Sequence, residues 1–495
     1  MNKLAKYYSL WSNRISDWLY YQILIAKLNT KLGLVFFVLA GLSVAYIGSK
    51  LGFFFSLLIF IAVGGGVFVF SCFVRPKIGF FTAFVLPCIF FPLQRKMGQD
   101  LPFGALVQGV VLLTLIIILF KKISQKDTSF AFLRNNVTYA FIVLILYNFL
   151  QALNPNVAGL TGFYFILRGN IILFCLYAVG LYLSQDIKFV KQLFIVWIGL
   201  AVVCALYACY QEWFGLLEFE KNWIHADQLR FNRIFVQGRY RKFSLLSDPT
   251  AFGIFMSGSA IVALILILIP KQLYIKILLL LAVGFLMLGV GYSGTRTAYA
   301  MLPAGLVIFL LMTITSRNTL IFSVVLSLAL GFVIFGPIYG NATINRFRST
   351  FDTDDQSLNI RDVNREAIQP YIYEHPIGGG VLTTGDAGLK FNPNHYLAGF
   401  PPDNGYLKLA LETGWIGLLI FLIFIFVVLR EGIKNYYATK DATLKIYQLA
   451  FIAFIFSISI ALYAQTVTTQ IPLSTIFWPI LGILANIKHH DKQEG

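Results

Sequence analysis

Residues 401–419 read PPDNGYLKLALETGWIGLL. The second half opens an apolar run, while the first half carries Asp403, Asn404, Lys408 and Glu412. Charged and amide side chains at the mouth of a hydrophobic helix are costly beside hydrocarbon and mark either a site or a fastening. Lys408 and Glu412 stand four residues apart, so they can pair along one helical face. The stretch therefore reads as a polar loop returning to a membrane and bringing polar groups to the helix mouth.

The composition agrees with a membrane protein. Of 495 residues, 58% are hydrophobic and only 12% are charged, and the mean hydropathy is +0.76. A soluble chain of this length needs far more charged surface. The 48 Phe and 25 Tyr suit a lipid-facing surface with interfacial belts. Cys72, Cys88, Cys175, Cys204 and Cys209 all lie in apolar stretches, which points to neither a disulfide framework nor a metal site. The polar, basic first 30 or so residues are too long and too polar for a cleavable signal peptide. Their aromatic-rich part, YYSLWSNRISDWLYYQILIAKL, reads either as a helix lying on the inner leaflet or as a packing helix.

Apolar runs of spanning length fall near 32–48, 51–74, 78–93, 104–120, 137–153, 164–184, 190–212, 250–269, 273–291, 297–315, 319–338, 413–429, 445–463 and 470–487. The expected fold is an all-α polytopic membrane protein of about 14 spans with one long extracytoplasmic loop. Its organisation is a cytoplasmic segment 1–31, a transmembrane core 32–338 with an outer loop 213–249, the long loop 339–412, C-terminal spans 413–487 and a tail 488–495. With the N-terminus inside, the inner segments collect most of the Lys and Arg, including Lys121, Lys122, Lys126 and Arg134. The short outer loops hold only Lys50, Arg95 and Lys96. This asymmetry sets both termini in the cytoplasm. It also accounts for the net charge of +17 without nucleic acid.

On that topology the outer arginines gather in four groups. GRYRKFSLLSDPTAFG, 238–253, sets Arg239, Arg241 and Lys242 ahead of a helix that Asp248 can cap and Pro249 can start. The alternative is an interfacial cluster on lipid headgroups. YSGTRTAYAM, 292–301, holds Arg296 in a tight turn between two spans. Its planar donor fork matches phosphate oxygens, although an arginine there can also simply snorkel. NIRDVNREAIQPYIYEHPIGGGV, 359–381, carries Arg361 and Arg365 one helical turn apart, then a glycine run that reads as an anion-binding nest or as a plain turn. The fourth group is the opening stretch itself. Arg168 lies about one turn into a span near the same face. Several cations and one carboxylate, Asp403, thus converge at one interface, which fits a site for a lipid-linked pyrophosphate with a carboxylate to take a proton from an attacking hydroxyl.

The same residues resemble the O-antigen ligase and polymerase superfamily. The likeness runs from about Arg241 to Gly417, through Arg241 with Pro249-Thr250-Ala251, SGTRTA at 293–298, Arg361 followed by PIGGG at 376–380, and DNGYLKLALETGWIGLL at 403–419. The resemblance implies a lipid-donor glycosyltransferase of GT-C-like architecture at the outer face of a bacterial cytoplasmic membrane. Such an enzyme moves a glycan from undecaprenyl pyrophosphate to a hydroxyl without metal or cofactor. Arg241 and Arg296 would hold the pyrophosphate, with Arg239, Arg168, Arg361, Arg365 and Asn404 as further binding residues. Where the family's ligases often have a histidine as base, this chain has Asp403; His395, eight residues earlier, is the substitute candidate. Aspartate there resembles the polymerase branch, whose acceptor is another repeat unit; working alone and working with a chain-length regulator both stay open. Ligation to lipid A–core or to protein hydroxyls stays open, as does a transporter of lipid-linked glycans. Against the transporter stands the near absence of charge from the middles of the spans.

Overall fold

The computed structural model describes residues 53–98, 103–124, 130–155, 159–236, 238–270, 272–317, 356–402 and 404–492, with isolated positions elsewhere. The expected segment 1–31 and most of the spans near 32–48 and 319–338 lie outside the described residues, as do Asp403 and nearly all of 339–355. The described chain is mostly helical. Ten of its helices are long and apolar enough to cross a membrane, in keeping with a polytopic membrane protein.

Contacts divide the chain into two units, 1–83 with 108–131, and 84–107 with 132–495. Among the described residues, three helices enter the first: α1 (Phe53–Val74), the start of α2 (Lys77–Met97) and the end of α3 (Phe103–Ser124). Gly79 allows the α2 backbone to approach α3, since a Cβ there would come within 2.2 Å of Thr114 Oγ1. Lys121 Nζ donates to Val74 O at 2.9 Å and closes the C-terminal end of α1.

The second unit contains α4 (Asn136–Leu150), α5 (Gly159–Leu183), α6 (Ile187–Trp213), α7 (Glu218–His225) and α8 (Gln228–Ile234). A two-residue hairpin follows, β1 (Phe235–Val236) against β2 (Arg239–Tyr240), turning at Gly238 with φ 75°. Then come α9 (Pro249–Leu266), α10 (Leu273–Ser293), α11 (Arg296–Thr313), α12 (Gln356–Glu374), α13 (Gly385–Phe391), α14 (Gly405–Ala438), α15 (Ala442–Ala461) and α16 (Ser474–Asn486). The central helix is α9, nearly all of whose residues are buried. Its small residues permit this, because lipid gives no hydrophobic drive and close approach does the work. A Cβ at Gly258 would strike the Phe454 ring at 2.6 Å, and one at Gly253 would strike Ser293 Oγ at 2.5 Å. The buried hydroxyls are satisfied: Ser259 Oγ accepts from Trp197 Nε1 at 2.9 Å, and Ser257 Oγ donates to Ala298 O at 2.6 Å.

The expected span at 470–487 is a 13-residue helix, α16, buried beside α5. The expected span at 413–429 belongs to a longer helix, 405–438, broken at Gly414 (φ 74°, ψ 174°). Neither long polar stretch is a bare loop. Residues 214–243 fold around Leu216, Ile224, Ile234 and Phe243. Residues 368–411 fold around Ile368, Leu397 and Leu411.

Candidate functional site

A cavity of about 1060 Å³ opens in the second unit, and the residues that line it run from Trp223 to Gln470. Its walls come from α7–α8 and the hairpin, the head of α9, the α10–α11 turn, and the α15–α16 connection, with Asp386 and Pro402 added from the 356–402 segment. Arg241 and Arg296 both line it, together with Arg230 and Arg233. Four guanidinium groups, against the carboxylates of Asp227, Asp248 and Asp386, leave the cavity with a net positive lining and donor forks suited to phosphate.

Local chemistry fixes each wall. Asp248 caps α9 by accepting from the amides of Thr250 and Ala251 at 2.9 and 3.0 Å, and Pro249 occupies the first turn, as the sequence implies. Gly294 ends α10 in the left-handed region at φ 57°, so the chain reverses at once and α11 begins at Arg296. The buried Thr295 ties this turn to α9 by donating to Pro249 O at 3.0 Å.

Arg241 is held as much as it is presented. Its Nε donates to Ser293 O at 2.9 Å, its Nη1 to Arg233 O at 3.1 Å and its Nη2 to Thr295 Oγ1 at 2.8 Å. It bridges the 233–241 segment to the α10–α11 turn and so positions Arg296 beside it. Of its two basic neighbours, Lys242 pairs with Glu212 at 3.0 Å and Arg239 is exposed on the hairpin; neither lines the cavity.

The remaining expected site residues divide. Arg365 lies over the Tyr463 ring at 5.2 Å, immediately before Ala464 and Gln465 of the cavity wall. Arg361 is on the same helix one turn earlier, with its side chain outside the described residues. Arg168 is half-buried on α5 and does not line the cavity. Asn404 caps α14, accepting from the amides of Tyr406 and Leu407 at 2.8 and 3.3 Å. Asp403 follows Pro402 of the wall but is itself outside the described residues. His395 is away from the cavity: its Nδ1 accepts from Leu397 N at 3.2 Å, and burial, aided by the charge of His375, pushes its pKa down.

The glycine run is a turn, not a nest. Gly378 N donates to His375 O, Gly379 N to Leu411 O and Gly380 N to Glu412 O, at 2.8–3.0 Å, so no amide is left for an anion. The turn is clasped from several sides. Gln151 and Asn154 donate to the carbonyls of Ile377 and Gly378, and Thr384 Oγ1 donates to the buried Glu412 carboxylate at 2.5 Å. Lys408 and Glu412 do pair, at 4.0 Å.

Arg230, Arg233, Asp386, Gln465 and Gln470 are wall residues that sequence reasoning missed. A signal existed for the first two. In DQLRFNR, 227–233, an Asp cap is followed by arginines three apart, which share a helix face. Asp227 and Asp248 are occupied as caps. Asp386, exposed in the first turn of α13, is the other described carboxylate of the wall. Among the described residues no three His, Cys, Asp or Glu side chains gather as metal ligands would.

Residues 277–422 match the family model described as O-Antigen ligase, a segment that contains Arg296, the glycine turn and the 401–419 stretch. A comparison with the curated proteins found no match.

Proposed function

With residues 277–422 placed in the O-antigen ligase and polymerase superfamily, we propose that the arginine-lined cavity is the site of a lipid-donor glycosyltransferase. The observation that carries this is the meeting of Arg241 and Arg296, 55 positions apart in sequence, on one cavity wall with Arg230 and Arg233. In this reading the protein crosses a bacterial cytoplasmic membrane about 14 times, with both termini inside and the cavity opening outside. The donor is a glycan on undecaprenyl pyrophosphate, and neither a metal nor a cofactor takes part.

The chemistry follows from the charges. The acceptor hydroxyl attacks the anomeric carbon of the donor sugar. The bond from that carbon to the pyrophosphate oxygen breaks, and the negative charge that develops there is stabilised by Arg296 and its neighbours. The hydroxyl proton passes to a carboxylate. Asp403, next to wall residue Pro402, fills that role in our reading. Asp386 is the other carboxylate of the wall not occupied in capping, and His395 is a weaker choice because its Nδ1 already accepts a backbone amide. The acceptor is a further repeat unit, making the enzyme a polymerase that works with a chain-length regulator. The matching family description, O-Antigen ligase, supports the second reading, transfer to lipid A–core.

The test is the glycan profile of a deletion strain carrying single variants at normal levels. Arg296→Lys should lose about 30- to 1,000-fold in transfer, because a point charge cannot reproduce bidentate contacts. Asp403→Asn should lose about 100- to 10,000-fold. A normal profile from Arg296→Ala removes this site. A normal profile from Asp403→Asn with a defective Asp386→Asn moves the base to Asp386.

A further inference from the structure

A second cavity, of about 460 Å³, lies against the first and shares Trp223, Asp227 and Arg230 with it as a common wall. Its other walls are the last turn of α2 with its cap, Gln94–Gly98, and Phe219, Asn222 and Ala226 of the α7 region. The volume is within the range of roughly 300–1,000 Å³ seen for small-molecule sites.

The charges in this cavity are Arg95, Lys96 and Arg230 against the single carboxylate of Asp227. That carboxylate is occupied: Oδ1 accepts from the amides of Leu229 and Arg230, and Oδ2 stands 3.8 Å from Arg230 Nη2. Arg95 is only 4% exposed. Its guanidinium lies 4.3 Å from the Phe243 ring centroid and 5.0 Å from that of Trp223, and Nη1 donates to Ser244 O at 2.7 Å. Among the described residues, its buried Nη2 has no hydrogen-bond partner. The acidic groups whose charge acts on Arg95, Glu220 and Asp248, bond elsewhere. Glu220 accepts from Tyr207 Oη, Gln211 Nε2 and Leu217 N, and Asp248 caps α9. A basic last turn commonly complements the helix dipole. Arg95, however, reaches the carbonyl of Ser244 and not one of its own helix. Guanidinium cannot shed its charge, and a buried N–H without an acceptor is costly. A ligand oxygen would supply that acceptor.

We propose that this cavity is an anion subsite that takes the carboxylate of an acidic sugar unit in the glycan. Two features favour a sugar acid over a bare phosphate or a lipid headgroup. The walls combine aromatic rings, Phe219 and Trp223, with the amides of Gln94 and Asn222, which suits a ring with hydroxyls. The shared wall lets one oligosaccharide reach from the transfer site past Trp223 into the smaller cavity. The proposal rests on the glycosyltransferase reading for the identity of the ligand, but its test does not need turnover.

The probe is tri-galacturonate, titrated into the full-length protein in phosphatidylcholine nanodiscs and read by saturation-transfer NMR. Neutral tri-galactose, inorganic pyrophosphate and nanodiscs containing phosphatidylglycerol form the other arms. Tri-galacturonate should bind in a salt-sensitive way and tri-galactose should not. Lys96→Gln, at an exposed position, should weaken binding about 2- to 5-fold. Arg95→Lys should weaken it about 10- to 100-fold. Arg241→Ala should lower pyrophosphate affinity and leave tri-galacturonate bound. Equal binding of the neutral sugar overturns the subsite, as does displacement of the probe by phosphatidylglycerol. Loss of probe binding in Arg241→Ala but not in Lys96→Gln assigns the probe to the larger cavity and overturns it too. Absence of tri-galacturonate binding, with pyrophosphate binding that depends on Arg241, rejects the subsite and leaves the transfer site standing.

Discussion

Arg241→Lys separates two roles that a glycan profile alone confuses. Arg241 makes three well-formed hydrogen bonds, at 2.8, 2.9 and 3.1 Å, to Thr295 Oγ1, Ser293 O and Arg233 O. An ammonium group can keep one of them. Hydrogen bonds to a charged group are worth about 1.5–3 kcal/mol each, and the partly exposed setting argues for the lower end. Losing two costs roughly 3 kcal/mol, or about 100-fold in a local opening equilibrium. The opening should show in amide hydrogen exchange. Arg241 N donates to Ile234 O at 2.8 Å, Lys242 N to Tyr292 O at 2.9 Å and Gly294 N to Gly291 O at 3.1 Å, and these amides report whether the segments stay clipped. In Arg241→Lys they should exchange up to about 100-fold faster. In Arg296→Lys they should not change while glycan transfer falls. If Arg241→Lys leaves their exchange unchanged and lowers transfer as Arg296→Lys does, then Arg241 acts by ligand contact and the clip account is wrong.

Gly414→Ala should prevent stable folding, since its Cβ would be 1.9 Å from Pro376 O at a φ of 74°, and the yield of monodisperse protein in detergent is the readout. Thr384→Val should cost about 1–3 kcal/mol by removing a donor from the buried Glu412 carboxylate, measured as increased exchange across 376–384. The His395 pKa is lowered by burial and then by the charge of His375. Its contribution to stability is therefore complete above the ordinary value of 6.5 and is lost as pH falls through the lowered one, so proteolysis of the 375–400 segment should rise below pH 6.5 and do so less in His395→Gln. A cysteine placed at the exposed Leu389 should label from outside the cell and one at Ser124 should not; the reverse pattern would invert the topology.

Ten of the spans were legible because hydrophobic length is a strong signal, and Arg241 and Arg296 drew notice as cations set close against apolar runs. Arg230 and Arg233 were not, since an arginine on a short surface helix looks solvated until the fold sets it in one cavity wall with the head of α9. Gln465 and Gln470 reach the cavity from a connection almost 170 positions beyond Arg296, a closure that no local pattern announces. The glycine run allowed both nest and turn. What decides between them is tertiary: the amides of Gly379 and Gly380 face carbonyls of α14, while a nest needs them turned to open space.

The polar residues at the mouth of α14 illustrate how one pattern can carry two meanings. Asn404 caps the helix, Lys408 and Glu412 pair along it, and Glu412 binds Thr384 beyond the glycine turn. Tyr147 Oη donates to Thr413 O at 2.6 Å from the neighbouring α4. Gly414 then breaks the helix, so that its first nine residues belong with the 356–402 segment and its remainder runs on as the apolar span. Charge at this helix mouth thus fastens a folded polar segment to the membrane part of the chain. The fastening has a chemical consequence. Pro402 and Asp386 of this segment line the arginine cavity, and in the proposed reaction a carboxylate that meets an acceptor hydroxyl tolerates little displacement. Substitutions at Glu412 should therefore abolish transfer without touching the cavity, and their defect should appear first as loss of order in 376–402.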